Sequence, residues 1–286
     1  MTTFRRIMRL PPVRLALGFV LAFATIIVVA ILDILALSLA GMILARGVGA
    51  LLAAGVVLLL EQGIEGVPCA EGGLAPRGAL PGLGQGFLIG AALMVAIFAT
   101  LFLAGWYHVQ RVAVDLPVLI ASLLLFLMVA LFEELVFRGI LFRQFEGVLG
   151  SWASLVIGGA LFGAAHLANP SATIWSTLAI AVGAGTLLGG AYLATRNIWM
   201  AVGIHWSWNF FQGPVFGSAV SGISTSRMLV STTAGPVLWT GGAFGPEAGL
   251  VALIATVLAS LLLLYVAVRR GQIRTPVWLR RLRAEG

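Results

Sequence analysis

In an otherwise apolar chain, six residues have the types and spacing for chemistry: Glu133, Glu134, Arg138, His166, His205 and Asn209. They stand in the stretches "FEELVFRG", "LFGAAHLANP" and "AVGIHWSWNFF". An ionisable side chain at bilayer depth is costly, so Glu133, Glu134, Arg138, His166 and His205, with Asp33, are functional candidates by default. Glu134 and Arg138 are four residues apart, on one helical face, where they can neutralise each other. Glu133 is rotated by about 100° from Glu134, and its own neighbour one turn on is Phe137. A carboxylate with no partner on its helix, in an apolar medium, is suited to accept and return a proton. Spacing therefore gives Glu134 a structural role and Glu133 a chemical one. The competing reading pairs both carboxylates with arginines such as Arg138 and Arg143. His205 and Asn209 share a face of another helix, and His166 follows Phe162 by one turn.

Such a set could hydrolyse a peptide bond. A carboxylate and an imidazole can share a water and deprotonate it for attack on a carbonyl. A second imidazole and an amide NH2 can donate hydrogen bonds to the developing oxyanion. A metal alternative uses Glu133, His166 and His205 as three zinc ligands with a fourth position for water, although no His-Glu-x-x-His pattern marks it. Cys69 sits in a loop with no histidine nearby and reads as a neutral loop residue. Asp33 either pairs with an arginine or caps a break in the first helix.

The elements that must position these residues are membrane helices. The chain has 286 residues, of which 60% are hydrophobic and 9% charged, and its mean hydropathy is +1.08. A soluble domain carries roughly 25% charged residues. Apolar runs of about 20 residues recur along the whole length, which reads as an all-α, polytopic membrane protein. Residues 1–286 form one membrane domain, with the motifs inside 116–211. Eight spans are expected: Val13–Ser38, Ile43–Leu60, Gly86–Trp106, Leu116–Phe145, Trp152–Leu167, Thr173–Ala194, Ile198–Phe216 and Leu250–Val268. Gly185 and Gly189 give the sixth a small-xxx-small face for close packing.

The cations are all arginine, and the net charge of +7 points to topology rather than to nucleic acid. They gather at the two ends: Arg5, Arg6, Arg9 and Arg14, then Arg269, Arg270, Arg274, Arg280, Arg281 and Arg283. This places both termini in the cytoplasm. The loop Glu61–Gln85 then falls inside, in mild discord with its Glu61, Glu65 and Glu71. The loop Gly217–Gly249 falls outside, with Arg227 its only cation. Counted from the "GVLGS" turn, Glu133 lies roughly 21 Å along one helix and His166 roughly 22 Å along the next, at about 1.5 Å per residue. The expectation is one site at intermediate depth, open to the cytoplasm. A proton-coupled transporter and a non-catalytic scaffold or immunity protein are the alternatives. The former lacks an inverted repeat.

"EELVFR", "FGAAH" and "HWSWN" resemble, in order and spacing, the motifs Glu-Glu-x-x-x-Arg, Phe-x-x-x-His and His-x-x-x-Asn of the CPBP intramembrane proteases. That family covers CAAX proteases and bacteriocin-processing proteins and includes the type II CAAX prenyl endopeptidases. "LWTGGAFGPEAG" is similar to a common ending among its bacterial members. The resemblance implies about eight helices around an intramembrane catalytic cavity open to the cytoplasm and the membrane. Glu133 and His166 would activate water, His205 and Asn209 would form the oxyanion site, and Glu134 and Arg138 would support them. It implies a membrane-associated protein or peptide as substrate and a lipid bilayer as surroundings. No cofactor would be required, with zinc at Glu133, His166 and His205 as the other option. Composition suggests a bacterial inner membrane, so prenylated substrates are not carried over.

Overall fold

The computed structural model describes residues 7–68, 73–277 and 279. Arg5, Arg6, Cys69, Glu71, Arg280, Arg281 and Arg283 lie outside the described residues. Helix α1 (Pro11–Leu35) starts on two prolines, which are tolerated where the backbone N–H has no helical partner, and ends beside Asp33. Helix α2 (Leu39–Leu58) is capped by the Ser38 hydroxyl, which accepts from the Gly41 N–H at 3.1 Å. It continues in wider π-type turns over Leu59–Glu65 and stops at Gly66, in the left-handed conformation that favours glycine. Helix α3 (Ala79–Leu103) leads into strand β1 (Tyr107–Val112).

Helix α4 (Leu116–Glu134) begins with Asp115 accepting from the Val118 N–H and runs on through π-type turns over Leu135–Phe142. Helix α5 (Arg143–Ala165) is broken at Gly150, whose φ of 81° and ψ of 172° leave the helical region. The chain folds back there, because Phe137 and Phe162 meet edge-on with ring centroids 5.0 Å apart. Helix α6 (Ile174–Val182) opens with a Thr173–Ser176 capping box. Helices α7 (Ala184–Thr195) and α8 (Trp199–Phe210, extended by Phe211–Val215) follow. Strand β2 (Leu229–Thr233), the short helix α9 (Val237–Thr240) and a 3-10 turn (Pro246–Ala248) precede helix α10 (Leu250–Arg269).

Among the described residues, six helical runs are long and apolar enough to cross a membrane, and the 50-residue run Leu116–Ala165 contains the Gly150 break. The protein is all-α and polytopic. The expected seventh span is α8, which with its extension falls short of the roughly 20 residues a full crossing needs. It packs backbone to backbone on α3. A Cβ at Gly86 would collide with the Met200 carbonyl, and one at Gly90 with the Ser207 side chain. The Gly185 face packs on Gly159 of α5, as its spacing suggests.

A two-stranded sheet, which hydropathy does not announce, joins two of the connections. Strands β1 and β2 pair antiparallel, Tyr107 opposite Thr233 and Val112 opposite Leu229. The Tyr107 hydroxyl donates to the Phe216 carbonyl at 2.6 Å and ties this sheet to the end of α8. The opposite end of the molecule carries paired arginines. Arg14 meets Glu65 at 2.9 Å, Arg143 pairs with Glu61, and Arg196 meets Glu146 at 2.6 Å. Glu61 and Glu65 are thus counter-ions rather than free loop charges.

Candidate active site

The site forms where α2, α4, α5 and α8 converge. Glu133 and Glu134 are the last residues of α4 proper, just before its turns widen. Glu134 is fully buried, and its Oε1 accepts from Arg138 Nη1 at 2.9 Å, the pair that spacing indicates. The same oxygen lies 2.9 Å from His205 Nδ1. An ionised carboxylate only accepts, so Nδ1 carries the proton and His205 turns Nε2 toward Glu133, whose Oε2 is 3.8 Å away. Arg138 also donates to the Gly185 carbonyl at 3.3 Å and lies over the Phe162 ring, 4.7 Å from its centroid.

Glu133 is not isolated, and here the sequence reading is corrected. Arg46 Nη1 of α2 stands 3.8 Å from Glu133 Oε1, while Arg46 Nη2 meets Asp33 of α1 at 2.7 Å. Helical spacing tests only partners on the same helix, and both neighbours of Glu133 come from other helices. Asp33 pairs with an arginine, one of its two expected fates. The alternative in which Arg143 serves these glutamates fails, because Arg143 is engaged with Glu61.

His166 ends α5. Its Nδ1 is 2.7 Å from the Phe162 carbonyl. A carbonyl only accepts, so Nδ1 is the donor and Nε2 is left toward the cavity. Phe162 separates the histidines, its centroid 4.9 Å from His166 and 5.9 Å from His205. Asn209 is buried one turn beyond His205. Glu133, His166, His205 and Asn209 all line one cavity of about 580 Å³, and Glu134 and Arg138 lie behind its wall. Among the described residues no group of three His, Cys, Asp or Glu stands close enough to hold one ion. The side chains named for zinc do not fit it, and Glu133 faces an arginine.

A further carboxylate, Glu247, also lines the cavity. One of its oxygens accepts from the Ser221 backbone N–H, and the other from the Trp208 indole at 3.3 Å. Burial pushes its carboxyl above the usual range, against the pull of Ser221, Gln212, His166 and Trp208. The "GPEAG" stretch was the one sequence signal for it. Arg46 is marked in the sequence only as a charge inside an apolar run.

The expectations of a cytoplasmic arginine-rich end and of a cavity open to the cytoplasm are not met together. The cavity lining comes from the α1–α2 turn, the middle of α4 and the segment Val220–Ser226, and none comes from the arginine-rich end. Roughly 21 Å of helix from the α4–α5 turn is already two thirds of a bilayer core of about 30 Å. The site therefore sits nearer the sheet-bearing end, not the end with the terminal arginines.

Residues 114–211 match the family model described as Type II CAAX prenyl endopeptidase Rce1-like. The Rce1-like segment runs from just before α4 to just after α8, and holds all six residues singled out by spacing. No curated protein and no solved structure matches the chain. The match supports the coarse reading, a multi-pass membrane protein of the protease kind. Asp33, Arg46 and Glu247 lie outside the Rce1-like segment yet line its cavity.

Proposed function

We propose that the chain is an intramembrane endopeptidase that hydrolyses a peptide bond of a membrane-associated protein or peptide. What supports this reading above all is one arrangement. A cavity-facing carboxylate, Glu133, has His205 Nε2 against it, and both are backed by the buried Glu134–Arg138 pair. Glu133 takes a proton from water, and His166 Nε2 is a second acceptor on the same cavity. The hydroxide attacks the carbonyl carbon. The oxyanion accepts from the Asn209 amide NH2 and, when His205 carries both ring protons, from its Nε2–H. As the C–N bond breaks, the proton held by Glu133 passes to the leaving amine. Water is thereby divided between the new carboxyl and the new amine, and no step needs a metal.

Peptide cleavage by purified wild type and Glu133→Ala, with and without chelator, tests the proposal. The expected result is cleavage by wild type, unaffected by chelator, and loss of about 10²-fold or more in Glu133→Ala, the scale of a general base. Equal cleavage by both proteins overturns the role of Glu133. Loss of wild-type activity to chelator with recovery on zinc overturns the metal-free route.

A further inference from the structure

The two ends of the molecule differ in charge and in access. At one end lie Arg77, Arg196, Arg270 and Arg274 in the connections and helix ends there, with Arg14 in the first turns of α1 and Arg143 at the start of α5. They are held in one layer. Arg274 and Ser151 exchange two hydrogen bonds, and Asn197 and Trp199 both donate to the Ala75 carbonyl beside Arg77. The large buried side chains Phe142 and Tyr192 pack beneath this layer, 5.3 Å between centroids. Among the described residues the loops of the other end carry Arg111 and Arg227 as their cations. Arginine retained beside membrane spans marks the cytoplasmic side, and acidic residues count for little in that bias.

The cavity belongs to the arginine-poor end. Its exposed lining residues are Ala30 of α1, Met42 near the α1–α2 turn, Ala165 at the end of α5, and Ile223, Ser224 and Ser226 of the loop that follows α8. Asn169, from the loop after α5, and the buried Glu247 also line this part of the cavity. Deeper in, the wall is apolar, formed by residues such as Val29, Leu125, Phe126, Leu187 and Ile204. A mouth that carries Ser224, Ser226 and Asn169 over an apolar pocket suits a peptide that enters from water and buries apolar side chains on either side of the cut bond.

We infer that the site serves the non-cytoplasmic side of the membrane, and that its substrates are membrane-associated polypeptides presenting an apolar-flanked bond there. The substrate half of this inference rests on the peptidase reading above. The orientation half rests only on charge and cavity position.

Two measurements in intact spheroplasts expressing the full chain test it. In a Cys69→Ser background, Ser224→Cys and Arg77→Cys are exposed to a membrane-impermeant maleimide. Ser224→Cys is expected to react before lysis, and Arg77→Cys only after it. Two single-pass reporters carry the same Ala/Leu/Val-flanked ten-residue segment next to the membrane, one outside and one in the cytoplasm. Only the outer copy is expected to be cut, and not by Glu133→Ala cells. Reaction of Arg77→Cys first, or cleavage of the cytoplasmic copy alone, overturns the inference. The expected labelling with neither reporter cut overturns the substrate half together with the peptidase reading, while the orientation stands.

Discussion

Glu134 Oε1 accepts from two donors at once, Arg138 on its own helix and His205 on α8. The first bond is legible in the sequence because both groups sit on one helical face. The second joins residues 71 apart in the chain, and no periodicity reports on it. The Glu134 carboxylate is therefore more than the counter-ion that spacing makes it, since it also sets the direction of the His205 ring. Replacing it with Gln keeps the size but leaves the Arg138 guanidinium buried without a counter-charge, a loss of about 3–5 kcal/mol for a broken buried pair. It also weakens the hold on Nδ1. Glu134→Gln is expected to lower the thermal midpoint and, below that temperature, to lower kcat more than it changes KM. A kcat equal to wild type in the folded variant would show that His205 needs no such support. Glu247 shows the same limit of sequence reading. A carboxylate in a Gly/Pro-rich loop looks solvated until the fold turns it inward against Ser221 and Trp208.

At the scale of elements, hydropathy located the apolar helices well, because the cost of an unpaired backbone in lipid leaves helices as the natural solution. The fold-back at Gly150 was also legible, in the "GVLGS" turn. The two-stranded sheet was not, since its strands lie more than 100 residues apart and each is short and of ordinary composition. Nor was the reach of the α1–α2 hairpin into the site. In the sequence Arg46 is a single charge within an apolar run, yet in the fold it stands between Asp33 and Glu133. Two unit charges at about 4 Å interact by about 4 kcal/mol at an effective dielectric of 20. Partial exposure and the bond to Asp33 reduce what reaches Glu133. Arg46→Ala is expected to cost roughly tenfold in kcat, about 1.4 kcal/mol of transition-state stabilisation, with Arg46→Lys recovering part of it. Steady-state kinetics on the two variants check this, and an unchanged kcat in Arg46→Ala would confine the hairpin to packing.

At the scale of the whole molecule, arginine content was readable at once, but which end the cavity faces was not. Counting residues from a turn fixes a distance along a helix and leaves the mouth undecided, because the lining also depends on loops that carry no hydropathy signal. The structure divides the labour between the ends: one is open, and the other is closed by buried ion pairs. Glu146 is the centre of the closed end. It is fully buried, and its carboxylate accepts from Arg196 at 2.6 and 2.8 Å and from the Ser151 hydroxyl at 2.6 Å, with Arg274 at 3.5 Å. It thereby joins α5, the α7–α8 turn and the segment after α10. Removing it leaves cations facing one another in a poorly solvated layer, for which about 3–5 kcal/mol is the expected loss. Glu146→Ala should accordingly unfold at a clearly lower temperature in detergent, followed by tryptophan fluorescence. Because none of these residues lines the cavity, cleavage per folded molecule at low temperature should match wild type. A lowered midpoint with normal turnover would establish that the closed end holds the helices together without taking part in the chemistry. An unchanged midpoint would mean that the buried pairs there add no net stability, the outcome possible when desolvation of both partners offsets their attraction.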